Sequence, residues 1–165
     1  MSVEAKQAKQ VIIDEIKEKL DGAQSAVVID YMGTTVAQAD AMRKKLREAN
    51  VDYTVYKNTL IKRAIEGTEF APLADVLDGP SAIAISKEDA TAPARVLKEV
   101  IDEFKKMEFK AGVVEGTFFD QNGIKEIANI PNRDVLIAKF MGCIQSPVSK
   151  AVRTFQAIAD AKAEA

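Results

Sequence analysis

A few stretches of the sequence carry side chains of a kind and spacing that could do chemistry. Asp30-Tyr31-Met32-Gly33-Thr34-Thr35 sets a carboxylate where a strand gives way to a helix. The glycine turn could hold an anion on free backbone N–H groups, or present the aspartate to a phosphoryl donor. Glu88-Asp89 and Asp102-Glu103 are adjacent carboxylates, and Cys143 is the single thiol. Val55-Tyr56-Lys57-Asn58-Thr59-Leu60-Ile61-Lys62-Arg63-Ala64 is different in kind. Lys57 closes a strand, Asn58 and Thr59 open a helix, and Lys62 and Arg63 fall in its first turns. A helix start beside cations suits phosphate oxygens, and the Asn58 amide can either cap the helix or read a base edge.

Catalysis fits these residues poorly. There is no histidine, which removes the commonest general base and metal ligand. Cys143 has no imidazole to activate it, and one cysteine excludes a disulfide framework or a multi-cysteine zinc site. No phosphate-loop pattern occurs, and Gly112-Val113-Val114-Glu115-Gly116 lacks dinucleotide-binding spacing. The paired carboxylates read as solvated helix-start and surface charges. Asp30 reads as a strand–turn–helix corner with a capping threonine. A receiver-like or small nucleotide-binding signalling domain using Asp30 is the alternative function, although a receiver would need an acidic cluster after its first strand. Leu20-Asp21-Gly22 lies ahead of that strand instead. The expectation is a chain that is not an enzyme and takes no cofactor or metal.

The chain has 165 residues, 47% hydrophobic and 29% charged, with a net charge of −2. That length suits one compact domain with an appendage. No run of about 18 apolar residues is present, so no membrane partner is expected, and an apolar signal core is lacking. A cytoplasmic setting follows. The charge is unevenly spread: Arg43 to Arg63 holds Arg43, Lys44, Lys45, Arg47, Lys57, Lys62 and Arg63 against Glu48 and Asp52 only. A local patch can bind phosphates on an acidic chain, because screening limits each charge to about 8–10 Å. The same lysines and arginines also read as a solvated helix face.

Periodicity predicts the elements that position these residues. Helical spacing over 3–20 (Val3, Val11 or Ile12, Ile16, Leu20) precedes a strand at 26–31 and a helix with Val36, Ala39, Met42 and Leu46 inward. A strand over 51–56, short helices after Asn58 and Pro72, a strand at 82–85, a helix from Pro93 and a strand at 109–115 follow. Phe118-Phe119 either extends that last strand or turns back on it. Without the first helix and the short inserted helices the order is β-α-β-β-α-β. That predicts an α+β, ferredoxin-like (split βαβ) four-stranded sheet with helices on one face, a doubly wound parallel sheet being the competitor.

Residues 1–131 are thus expected to form a globular domain whose basic edge could meet RNA phosphates, and 132–165 a helical tail. Leu136, Ile137, Phe140, Met141, Ile144, Val148, Val152, Phe155 and Ile158 recur at spacings of three and four. They predict an apolar stripe on a protruding helix of about 45 Å, kinked or split near Pro147. If residues 1–131 complete their own core, the stripe is a partner surface; otherwise it folds back as a core helix.

Several motifs occur in order: Asp30-Tyr31-Met32-Gly33-Thr34-Thr35-Val36, Met42-Arg43-Lys44-Lys45-Leu46-Arg47-Glu48-Ala49, the Val55–Ala64 segment, Asp78-Gly79-Pro80-Ser81-Ala82 and Lys110-Ala111-Gly112-Val113-Val114-Glu115-Gly116. With Ile130-Pro131-Asn132-Arg133-Asp134 they make the whole chain resemble the bacterial large-subunit ribosomal protein L-ten family, anchors of the ribosome stalk. The resemblance implies a non-enzymatic scaffold that binds large-subunit ribosomal RNA at the stalk base beside ribosomal protein L-eleven. Its RNA-contacting motif falls on Lys57, Asn58, Thr59, Lys62 and Arg63, and the preceding helix adds Arg43, Lys44 and Arg47. It also implies that the tail stripe carries L-seven/L-twelve stalk protein dimers, two in the short-tailed form. Those dimers recruit translational GTPases, and the chain could bind its own messenger as a regulator.

Overall fold

A computed structural model describes the backbone of residues 3–163; the side chains of residues 3–6, 8, 148, 161 and 163 lie outside that description. Two compact units are present, residues 1–130 and residues 131–165.

In the first unit, α1 (Val3–Leu20) is followed by β1 (Ser25–Asp30), α2 (Val36–Glu48), β2 (Val51–Thr54) and α3 (Asn58–Ile65). A 3-10 turn at Ala71–Val76, β3 (Ala82–Ser86), α4 (Ala92–Phe104), β4 (Glu108–Val114), β5 (Thr117–Asp120) and α5 (Gln121–Ile127) complete it. The sheet order is β2-β3-β1-β4-β5, every pair antiparallel. The first four strands have split-βαβ order, which disposes of the parallel competitor. Two expectations need correction. The sheet has five strands, because Phe118 and Phe119 turn back through Glu115 and Gly116, both at positive φ, to pair with Val113 and Gly112. Helices cover both faces, not one.

The second correction follows from the strands themselves. β3 is buried at all five positions, and β1 at its first five, so neither face can meet water. Val27, Ile29, Ala82 and Ala84 face Met42 and Leu46 of α2, Leu97 and Val100 of α4, and Ile124 of α5. Ala26, Val28, Ile83 and Ile85 face Ile13, Ile16 and Leu20 of α1, Leu60, Ile61 and Ala64 of α3, and Leu73. The first helix and the inserted helices are therefore the second layer of the core.

One irregularity positions the site. Between Val28 and Ile29 the pairing with β4 slips from Ala111 to Phe109, leaving Lys110 as an extra residue. The bulge turns Phe109 to the α4 face while Ala111 and Val113 stay on the α1 face. Just beyond it Gly112 admits α5: a Cβ there would lie 2.9 Å from Ile124 Cδ1 and 3.1 Å from the Ala26 carbonyl.

The second unit is α6 (Arg133–Ala163), 31 residues with Pro147 inside the run and the Asn132 side chain accepting from the Val135 N–H at 3.1 Å. The helix is not split at Pro147, which instead withdraws one N–H from its ladder. Among the described residues, no helix is long and apolar enough to cross a membrane.

Candidate nucleic-acid interface

The junction between β2 and α3 is built from four directions. Lys57 sits at the N-cap of α3 in extended conformation, and no side chain caps the helix. Asn58 does not cap it, as one reading of the sequence had it: its Nδ2 donates to the Gly79 carbonyl at 2.7 Å. Lys62 pairs with Asp78 at 3.6 Å, again drawing the 78–81 turn against α3. From the sheet, the bulge residue Lys110 donates to the carbonyls of Asp78 and Pro80 and to Ser81 Oγ, and lies 3.8 Å from Asp30 Oδ2. From α1, Glu15 and Lys19 hold Tyr56. Its hydroxyl donates to Glu15 Oε1 at 2.8 Å and accepts from Lys19 Nζ at 3.2 Å.

The titrations follow from those contacts. Burial, then donation to Glu15, pushes the Tyr56 phenol up. The bond from Tyr56, then that from Lys19, holds the Glu15 carboxyl below its usual range. Burial pulls the Lys19 ammonium down, but its bonds and charge contacts with Tyr56 and Glu15 outweigh this and leave it raised. Tyr56 is thus a fixed wall of the junction.

What remains unspent is cationic. Lys57, Thr59 and Arg63 are exposed, and among the described residues their side chains have no hydrogen-bond or ion-pair partner. Lys57 stands at the uncapped helix start, where the positive dipole end favours phosphate oxygens, whereas Lys62 and Arg63 fall in the last turn of α3, not in its first turns as the sequence reading had them. Lys62 is shared with Asp78, and Asn58 with Gly79, so these two position the turn. Between the junction and the turn lies an open cleft of about 340 Å³ whose walls include Tyr31, Tyr56, Pro80 and Ser81. The sequence reading named none of these four as contact residues, nor Lys110. The turn itself was visible in Gly79-Pro80, but its meeting with Lys57–Thr59 depends on pairing β3 between β2 and β1.

The basic run from Arg43 to Arg63 is divided by the fold. Its α2 half packs on the α4 face of the sheet and its α3 half on the α1 face, with the edge strand β2 between them. Lys44 is exposed and unpaired among the described residues, Arg43 pairs with Asp40 at 3.4 Å, and Arg47 Nε donates to the Arg43 carbonyl. Arg43 and Arg47 line a separate groove with Val51, Asp52 and Tyr53. There burial pushes the Tyr53 phenol up to about 12, against the pull of Arg43.

Asp30 is occupied structurally. It accepts from the Met32 N–H at 2.9 Å and faces Lys110, while Thr35 and Gln38 form a capping box on α2. An antiparallel sheet with β1 at its centre also lacks a receiver's parallel carboxyl edge. The signalling alternative is not supported. Among the described residues no group of three or more metal-ligating side chains occurs.

On α6 the apolar stripe lies open. Leu136, Ile137, Phe140, Met141, Ile144, Val152, Phe155 and Ile158 are 44% to 72% exposed, and the Val148 side chain lies outside the described residues. Cys143 is exposed and free.

Comparison with known proteins agrees with both halves. The family model described as "Ribosomal protein L10" matches residues 4–102, and that described as "Ribosomal protein uL10 C-terminal region" matches residues 130–165. The large ribosomal subunit protein uL10 of Clostridioides difficile (strain 630) is 47% identical over 152 residues, covering 92% of this chain and 90% of that protein. Those of Bacillus cereus (strain B4264) and Bacillus anthracis (strain A0248) are each 42% identical over 158 residues, covering 96% of this chain and 95% of theirs. With a model spanning more than half its length and relatives matched nearly end to end, this chain belongs to the bacterial uL10 family, structural and non-enzymatic proteins of the large ribosomal subunit.

Proposed function

We propose that the first unit binds large-subunit ribosomal RNA at the stalk base and that α6 anchors dimers of the acidic L-seven/L-twelve stalk protein. Lys57 and Arg63 meet RNA phosphates, Thr59 adds a hydroxyl, and Asn58 and Lys62 hold the neighbouring turn. Arg43, Lys44 and Arg47, on the other side of β2, are secondary contacts. RNA binding of this kind reads the shape of a folded junction more than a duplex sequence. Ribosomal protein L-eleven is the neighbour at that site, and the setting is the ribosome in the cytoplasm. The same cations would serve if the chain binds its own messenger.

The observation that carries the reading is the open stripe of α6, with Phe140 at 67% and Phe155 at 72% exposure. Apolar side chains repeating along one helix face at that exposure suit a helix laid into a partner's groove. Leu136, Ile137, Phe140, Met141 and Ile144 form one docking segment before Pro147; Val148, Val152, Phe155 and Ile158 form a second after it. Each takes one dimer, and the dimers recruit translational GTPases. Native mass spectrometry with purified stalk protein tests this. The full chain should carry two dimers and a chain ended after Gln145 one; two dimers on the shortened chain would overturn the two-segment anchor.

A further inference from the structure

The cleft beside α3 has walls of a different chemistry from the cations at its rim. Tyr31, Tyr56 and Pro80 are half-buried and Val55 is exposed, so aromatic and apolar side chains make up much of its wall. Polar side chains complete the wall: exposed Thr59, half-buried Asn58, the buried Ser81 hydroxyl, and Lys57 with its ammonium unpaired among the described residues. The walls are also held. Glu15 and Lys19 fix the Tyr56 hydroxyl, Asn58 is bonded to Gly79, and Lys110 ties down Pro80 and Ser81. Its volume of about 340 Å³ is near the lower end of ligand pockets, which run from ~300 to 1,000 Å³, and suits one flat heterocycle rather than a peptide or a helix.

We propose that this cleft receives a single unpaired nucleobase of the bound RNA, stacked against Tyr31 and Tyr56, while Lys57 meets the adjoining phosphate. The inference rests on the RNA-binding reading and adds to it a base-stacking subsite. Splayed bases stack on aromatic side chains wherever a protein reads loops and bulges, and every base has a face for it. A charge-only interface would need no such walls, since phosphates are held by exposed cations.

Ultraviolet cross-linking of the full chain to a transcribed stalk-base fragment of large-subunit ribosomal RNA, followed by tryptic mass spectrometry, tests the subsite. A nucleotide should be found on the peptide 20–43, at Tyr31, or on 48–57, at Tyr56. Tyr31→Ala should lose that adduct and weaken binding about tenfold, with circular dichroism checking its fold. Val55→Ser, at a position already open to water, gives a second variant with the same expected direction. The chain contains no tryptophan, so in Tyr31→Trp a lone indole should be quenched as RNA is added. Tight binding with adducts only outside these peptides, or with both weakening variants at wild-type affinity, overturns the subsite and leaves the RNA reading standing. Failure of the wild-type chain to bind the RNA overturns both.

Discussion

The two units treat the same kinds of side chain in opposite ways. Leu97, on α4, is fully buried between the sheet and its neighbours, whereas Phe155, on α6, is 72% exposed. Both lie on helices with apolar side chains at spacings of three and four, so periodicity does not separate them. What separates them is supply. Among the described residues of the first unit, the inward apolar faces of the helices pack on strand faces, since all of β3 and most of β1 are buried on both sides. Along α6 the described stripe side chains are 44% to 72% exposed, and the helix rests on its own backbone bonds. A helix with such a face gains packing stability only where something covers that face.

The sharpest way to break this contrast is to truncate one side chain in each unit. Leu97→Ala should lower the unfolding free energy of the isolated chain by about 2–5 kcal/mol, the range for emptying a packed leucine site. Phe155→Ala should change it by no more than about 0.5 kcal/mol, as for other exposed positions, while weakening the capture of stalk protein. Urea unfolding followed by circular dichroism, with and without stalk protein, measures both. An equal loss of stability in the two isolated variants would mean that the stripe of α6 is covered within its own chain.

Much of the first unit could be read directly from residues. Gly22 and Thr35 bound their helices as their types suggest, as Asn132 does in the second unit, and the β-branched run at 27–29 is a central strand. Local chemistry settles such features, so a linear text contains them. Three others are properties of the fold in space. Unbroken apolar strands do not say that both faces are covered, so the second helical layer was not legible. The bulge at Lys110 is an insertion relative to a partner strand, and no residue type announces it. The run of cations from Arg43 to Arg63 does not say that the chain crosses the sheet edge between its halves. Of the candidate site, Lys57, Thr59 and Arg63 were named from residue type and position along the chain, and the structure leaves their side chains exposed; the Tyr31 and Pro80 walls were not named, because they are 49 residues apart in sequence.

That divided charge gives the next test, of smaller effect. If RNA is held on the α3 side, Lys57→Ala with Arg63→Ala should weaken binding about tenfold or more and flatten its salt dependence, each phosphate contact contributing to the slope. Lys44→Ala, exposed on the α2 side, should alter both far less. Filter binding over a range of salt concentrations reads the two quantities together. Equal losses from the two sides would mean that RNA wraps the β2 edge and that the α3 junction is not the principal contact.

The smallest effect isolates the first unit by its own chromophores. All three tyrosines, Tyr31, Tyr53 and Tyr56, precede residue 131, so tyrosinate absorbance reports that unit without α6. Burial raises the Tyr53 phenol from 10 to about 12. A phenol raised by folding keeps its proton where the unfolded chain has lost it. Its contribution is therefore fully present below pH 10 and is lost as pH climbs from 10 toward 12. Because the ring is only partly enclosed, that loss should be on the order of 1 kcal/mol, less than the two-unit shift alone would give. In a native titration Tyr53 should ionise last, well above a guanidinium-unfolded control, with Tyr56 also displaced upward. Tyr53→Phe should remove that late step and soften the fall of the urea midpoint over the same interval. Superimposed native and unfolded titrations would show the Tyr53 ring to be open to water, and β2 a looser edge than its pairing with β3 implies.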